Sequence, residues 1–281
     1  MLAPFLLLTL ALSSFFYYRI IAAGSLGVGG GLYVVGLMWC PGLAALVTSF
    51  ASRGNLRGLG WGWGRTRYQV WSLALPVLYS VSAYLLVWLT GLGGFNDPAF
   101  VRQAARILAA LGLSELSAGS AAAAAVLVTV LVGLPINCVA ALGEEIGWRG
   151  LLVPELARRV TFARTALLSG AIWAVWHYPL LLFADYNSGT PAWYGLACFS
   201  VMVLGISFVY AWMRLRSGSL WTGMFLHASH NLVVQQILEP LTRDTGITRY
   251  VTGEFGIALA LAGVAVGCVF WRKAPELERA G

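Results

Sequence analysis

The stretch that decides the fold is Ala121 to Gly150, AAAAAVLVTVLVGLPINCVAALGEEIGWRG. Its first part, Ala121 to Gly143, carries no charge, and roughly 20 mostly apolar residues are what a membrane-crossing helix needs. Its last part, GEEIGWRG from Gly143 to Gly150, sets two glutamates and an arginine against that apolar run. An ionisable side chain in a span costs at least about 2.5–3.5 kcal/mol on insertion scales, so such residues are paired, face a cavity or serve a function. On a helix, Glu145 and Arg149 are four apart and share a face. Glu144 points about 100° away. For an isolated Glu–Arg pair the plain reading is a structural bridge at the membrane edge. Two carboxylates with one cation fit that less well, because the second carboxylate lacks a partner.

The rest of the chain agrees with a membrane reading. Its 281 residues are 59% hydrophobic and only 10% charged, against about 25% charged in ordinary soluble domains. Mean hydropathy is +0.78. The expected fold is all-α: a polytopic membrane bundle of about eight transmembrane helices, one integral-membrane domain over 1–281, with a polar cavity in the membrane. The eight segments are about 4–23, 31–51, 69–91, 120–143 (running on to Arg149 or beyond), 163–184, 194–213, 217–238 and 253–271. The N-terminal MLAPFLLLTLALSS lacks a basic n-region and reads as the first span, not a cleaved signal. Between spans, PAFVRQAARILAALG has apolar residues at helical spacing with two arginines on one side, and suits the membrane interface.

The net charge of +7 is explained by the positive-inside bias, so no nucleic acid partner is expected. With the N-terminus cytoplasmic, the inside loops collect Arg53, Arg57, Arg65, Arg67, Arg149, Arg158, Arg159, Arg164, Arg214 and Arg216, and the inside tail adds Arg272, Lys273 and Arg279. Only Arg19, Arg102, Arg106, Arg243 and Arg249 fall outside. The expected localisation is therefore a multi-pass protein of the cell membrane with both termini cytoplasmic. Glu144, Glu145 and Arg149 are then expected near the cytoplasmic end of the fourth span. The four cysteines, Cys40, Cys138, Cys198 and Cys268, lie singly in apolar runs with no metal-binding spacing and read as small buried hydrophobes.

All three histidines sit in two further apolar segments. AIWAVWHYPLLL places His177 one turn after Trp173, and MFLHASHNLVVQQ places His227 four residues before Asn231, on one face, with His230 pointing elsewhere. Taken singly, each reads as a hydrogen-bonded core or helix–helix contact. Taken together, glutamates, imidazoles and a carboxamide on separate spans form a hydrolytic set. A carboxylate can take a proton from water. One imidazole can orient that water. A second imidazole and an amide can donate to an oxyanion.

The ordered motifs Glu144-Glu145-xxx-Arg149, Trp173-xxx-His177 and His227-xxx-Asn231, with the flanks GEEIGWRGLLVPEL and WHYPL, resemble the prokaryotic branch of the CAAX protease and bacteriocin-processing (Abi) family, the type II CAAX prenyl endopeptidases. The match covers about residues 135–235. One departure is Trp173, where the family usually has Phe. The resemblance implies an eight-helix intramembrane endopeptidase. Glu144 would be the general base, His177 would hold the attacking water, and His227 and Asn231 would stabilise the oxyanion. Glu145 and Arg149 would brace the motif, with Trp173 in a packing role and His230 structural. Glu144 is expected nearer the two histidines than Glu145.

Family members are often labelled metalloproteases. A Zn²⁺ bound by Glu144, His177 and His227 is the alternative, but no HExxH is present and a metal-free mechanism without cofactor is favoured. There is no serine-nucleophile motif paired with a histidine and no GxGD aspartate pair. A cysteine nucleophile would have only Cys138 near Glu144. The expected partners are the lipid bilayer and a substrate, either a peptide (a pheromone precursor, for example) or a membrane protein, cut near its C-terminus. The competing readings are a non-catalytic immunity or scaffold protein, or a transporter.

Overall fold

A computed structural model of the chain describes residues 1–110, 112, 118–187 and 189–278. Arg279, counted above with the inside tail, lies outside the described residues, as do parts of the 92–119 linker. The chain is an all-α polytopic membrane protein. Helix α1 spans Leu2–Ala23, α2 Leu32–Arg53 and α3 Thr66–Leu89. The short α4, Pro98–Ala110, leads to α5, Ala118–Glu145, which continues as π-helical turns over Ile146–Leu152 into α6, Val153–Ala157. Then come α7, Phe162–Phe183, and α8, Ala192–Ser217. Helix α9, Trp221–Asn231, also runs on through π-helical turns, Leu232–Leu238, into α10, Glu239–Leu241. Helices α11 (Thr248–Val251), α12 (Ile257–Arg272) and α13 (Pro275–Glu278) complete the chain.

Among the described residues, six helical segments are long and apolar enough to cross a membrane: Leu2–Ala23, Val28–Arg53, Thr66–Leu89, Gly119–Ala157, Phe162–Phe183 and Ala192–Ser217. The other two expected spans are helical but built differently. The seventh, α9 to α10, carries His227, His230, Asn231, Gln235 and Gln236, which make it too polar to stand among the apolar spans. The eighth is the 16-residue α12, roughly 24 Å at 1.5 Å per residue and shorter than a bilayer core. Its expected first residues form a loop, Thr252–Gly256, before the helix begins. Helix α4 packs on α5, with Arg102 and Arg106 exposed on one side and Leu108 buried on the other, as its amphipathic pattern suggests.

Helical structure in the fourth segment continues past Arg149 to Ala157, as expected. What fixes this segment is a GxxxG pair inside the opening motif. Gly143 and Gly147 let the backbone of α5 lie directly against α2. A Cβ at Gly143 would sit 2.6 Å from Trp39 Cα, and one at Gly147 would sit 2.5 Å from Pro41 Cβ. Small residues of this kind are how membrane helices approach closely. The two glutamates between them are therefore turned inward, away from α2.

The antiparallel helices give the bundle two chemically different ends. At one end, Glu155 binds Arg53, Arg158 and Arg159, Arg214 Nε donates to the Arg149 carbonyl at 2.7 Å, and the Leu220 N–H donates to the Gly60 carbonyl. At the other end, two-residue strands β1 (Gly94–Phe95) and β2 (Thr242–Arg243) pair antiparallel. There, Asp185 accepts from Ser25 Oγ and the Leu26 N–H. Of the cysteines, Cys40 and Cys198 are buried, but Cys138 is half-buried and Cys268 is exposed on the outer surface of α12. The buried reading fails for Cys268, which lies in an open apolar groove between α8 and α12 with Val201, Leu204 and Trp271.

Candidate active site

Three helical segments bring the motifs to one cavity of about 170 Å³, whose walls include Glu144 from α5, Trp173 and His177 from α7, and His227, His230 and Asn231 from α9. Glu145 and Arg149 lie behind this wall. Glu144 is 1% exposed, Glu145 0% and Arg149 2%, so all three charges depend on protein partners.

Trp173 ties the motifs together. Its indole Nε1 donates to Glu144 Oε2 at 2.7 Å, and its carbonyl accepts from His177 Nδ1 at 2.9 Å. The Arg149 guanidinium stacks 4.1 Å from its ring centroid, and its ring meets His227 at 5.4 Å, edge to face. Tyr210 closes the other side of Arg149 at 3.9 Å. Trp148 Nε1 is a second donor to Glu144 Oε2, at 3.2 Å. One oxygen of Glu144 thus holds both indoles, while Oε1 has no hydrogen-bond partner among the described residues.

Glu145 Oε1 accepts from Arg149 Nη1 at 2.8 Å, the pairing expected from the helix face. The same oxygen lies 3.0 Å from His227 Nδ1. This corrects one expectation: for His227, the nearer carboxylate is Glu145, not Glu144. The reason is the path of α9, which packs on α5 with Gly223 directly beside the Glu145 carboxylate. Because His177 and His227 are each held through Nδ1, both direct Nε2 to other contacts, which is how a hydrogen bond on one nitrogen sets the role of the other. Asn231 lines the cavity.

A second polar group, missed in the sequence, completes the wall. Glu254, in the loop before α12, accepts from His230 Nε2 at 3.1 Å, Gln235 Nε2 at 3.0 Å and the Tyr186 hydroxyl at 2.8 Å. Tyr79 reaches His230 Nδ1 from α3. Burial would push the Glu254 carboxyl up, but its hydrogen bonds from His230, Tyr186 and Gln235 outweigh that and hold it down to about 2. Burial first, and then the Glu254 charge, push the Tyr186 phenol well above its ordinary value, so it stays a donor. The available signal was an acidic residue at the start of the expected eighth span.

Among the described residues, no three His, Cys, Asp or Glu side chains converge as a group that could hold a metal ion; Glu144, His177 and His227 share the cavity wall.

Fold and site define a class: a multi-pass integral membrane protein whose helices enclose a buried cavity of carboxylates and imidazoles. Residues 125–233 match the family described as type II CAAX prenyl endopeptidase Rce1-like. CAAX prenyl protease 2 of Methanococcus maripaludis is 33% identical over 150 residues, 50% of this chain and 50% of that protein. The chain thus spans about half the length of the curated relative it matches. The resemblance read from three motifs therefore holds over the whole region that contains them.

Proposed function

We propose that this protein is an intramembrane endopeptidase of the CAAX protease type, hydrolysing a peptide bond near the C-terminus of a peptide or membrane-associated protein. The observation that carries this reading is the convergence of Glu144 from α5, His177 from α7, and His227 and Asn231 from α9 on one cavity. Glu144 Oε1 takes a proton from water while its Oε2 is held by the two indoles. His177, anchored at Nδ1, orients that water through Nε2. His227 and Asn231 donate to the oxyanion that forms on the scissile carbonyl, in a dry site where such donors act strongly. Glu145 orients His227 as the carboxylate of a catalytic triad orients its histidine, and Arg149 balances the Glu145 charge. No metal takes part. The positive-inside asymmetry supports a cell-membrane location with both termini cytoplasmic.

A cavity of about 170 Å³ holds water and a side chain but not an extended peptide, so substrate enters by displacing the loops at its rim. The test is purified protein reconstituted in lipid and offered membrane-anchored peptides. Wild type yields cleaved product. Glu144→Ala, His177→Ala and His227→Ala insert normally and yield none. Biological function that survives in Glu144→Gln would instead support a non-catalytic immunity or scaffold role.

A further inference from the structure

The seam between α3 and α12 stays open on the outside of the bundle. Helix α12 is drawn against α8, where Gly205, Gly263 and Gly267 let the two backbones touch. Toward α3 it leaves an apolar trough of about 740 Å³, running from Leu75 to Thr90 along α3 and from Ile257 to Val266 along α12. From Leu75 to Thr90 the chain rises roughly 22 Å. The acyl chains of one leaflet need about half of a hydrocarbon core near 30 Å, so the trough can hold one along its whole length. Its aliphatic walls face outward, with Leu78 53%, Leu86 65% and Leu261 62% exposed. Apolar surface of this kind is ordinary in a membrane, and by itself it selects no lipid.

The selecting feature is at one end. Leu75 also lines a second hollow, of about 480 Å³, so the two are continuous. Here α3 begins while α8 and α12 end, and together they bring Arg67, Arg216 and Lys273 to one wall. Among the described residues, Glu276 is the only acidic side chain there. It binds Lys273 at 3.2 Å, and an ammonium has further protons to give. Arg67 is exposed and donates to the neighbouring Tyr68 hydroxyl. Arg216 is half-buried in the last turn of α8 and makes no hydrogen bond or ion pair among the described residues. The negative end of the α8 dipole accounts for one cation at this place, but not for three from separate segments. Trp71 and Trp212 line the same hollow, as indoles do at headgroup level. We infer that this seam binds one anionic phospholipid, its phosphate held by Arg67, Arg216 and Lys273 and an acyl chain laid in the trough between α3 and α12. Basic pockets between membrane helices recognise anionic headgroups in this way. A zwitterionic lipid fits the trough equally well but brings an ammonium to a hollow that is already cationic. None of these residues lines the active-site cavity, so the site stands apart from the endopeptidase reading.

The test is native mass spectrometry of the purified full chain in detergent, offered phosphatidylglycerol and phosphatidylcholine with identical acyl chains in equal amounts. Wild type is expected to retain one phosphatidylglycerol with a preference of about tenfold or more, since each basic residue near an anionic headgroup raises affinity roughly fivefold. A chain carrying Arg67→Gln, Arg216→Gln and Lys273→Gln should lose that preference. Ala265→Trp, which fills the trough and keeps every cation, should lower retention of both lipids. If the triple variant fails to insert, Arg67→Gln with Lys273→Gln, which leaves the half-buried Arg216 in place, should still reduce the preference several-fold. Equal retention of the two lipids by wild type, or an unchanged preference in the charge variants, would overturn the inference. Glycerol phosphate separates a lipid from a free anion: it carries the phosphate without acyl chains. It should not displace phosphatidylglycerol at equal concentration, and displacement would overturn the lipid assignment in favour of a free-anion site.

Discussion

His227 Nδ1 lies 3.0 Å from Glu145 Oε1, and the same oxygen lies 2.8 Å from Arg149 Nη1. The second carboxylate of the doublet is therefore shared between a cation and an imidazole that faces the cavity. Gly223 makes this contact fit, because a Cβ there would collide with Glu145 Oε2. Gly223→Ala is expected to push Glu145 off His227 without removing any polar group. In the purified protein kcat should fall about tenfold or more, the equivalent of about 1.4 kcal/mol in the transition state, while membrane insertion is kept. Unchanged kcat would show that the Glu145–His227 contact does not matter to turnover.

Both indoles on Glu144 Oε2 should matter by aiming the other oxygen. A hydrogen bond to a charged group contributes about 1.5–3 kcal/mol. Trp173→Phe, which installs the residue the family usually carries, is expected to lower kcat/KM modestly because Trp148 remains. Trp148→Phe with Trp173→Phe together should lower it by more than the product of the two single effects, since the two share one oxygen. Strictly multiplicative effects in a double-mutant cycle would contradict a shared role.

Much of this arrangement was legible in the sequence. The apolar run from Ala121, the Glu145–Arg149 pair and the gathering of all three histidines follow from helical spacing and the cost of charge in lipid. That the fourth span runs on past Arg149 was legible too, but the π-helical turns over Ile146–Leu152 that carry it were not, because no local pattern in the sequence marks them. Glu254 was passed over because its partners, His230, Tyr186 and Gln235, come from two other segments of the chain. The preference of His227 for Glu145 depends on how α9 lies on α5, which no local pattern encodes.

Glu254 gives a pH signature of folding. Its carboxyl is held at about 2 against an ordinary 4.5. A depressed acid adds stability that is present above the unfolded value and is lost as pH falls through the folded one. The thermal-stability advantage of wild type over Glu254→Gln in detergent should thus shrink as pH falls from 4.5 toward 2. An advantage that grows on acidification would contradict the assignment.

Metal removal should change nothing. Activity of the purified protein is expected to survive exhaustive chelation, with no gain on adding zinc back and less than stoichiometric zinc in the active preparation. A stoichiometric zinc required for turnover would replace the glutamate-only mechanism with one built on Glu144, His177 and His227.

The most direct test is turnover by Glu144→Gln. The substitution keeps the size of the side chain and an oxygen for the indoles but removes the base. With reconstituted protein and a membrane-anchored peptide, mass spectrometry of the products should show one cleavage by wild type and at least a 100-fold slower rate for Glu144→Gln, the low end of what a positioned general base contributes, about 10²–10⁴-fold. Cleavage by Glu144→Gln at the wild-type rate would contradict the central claim.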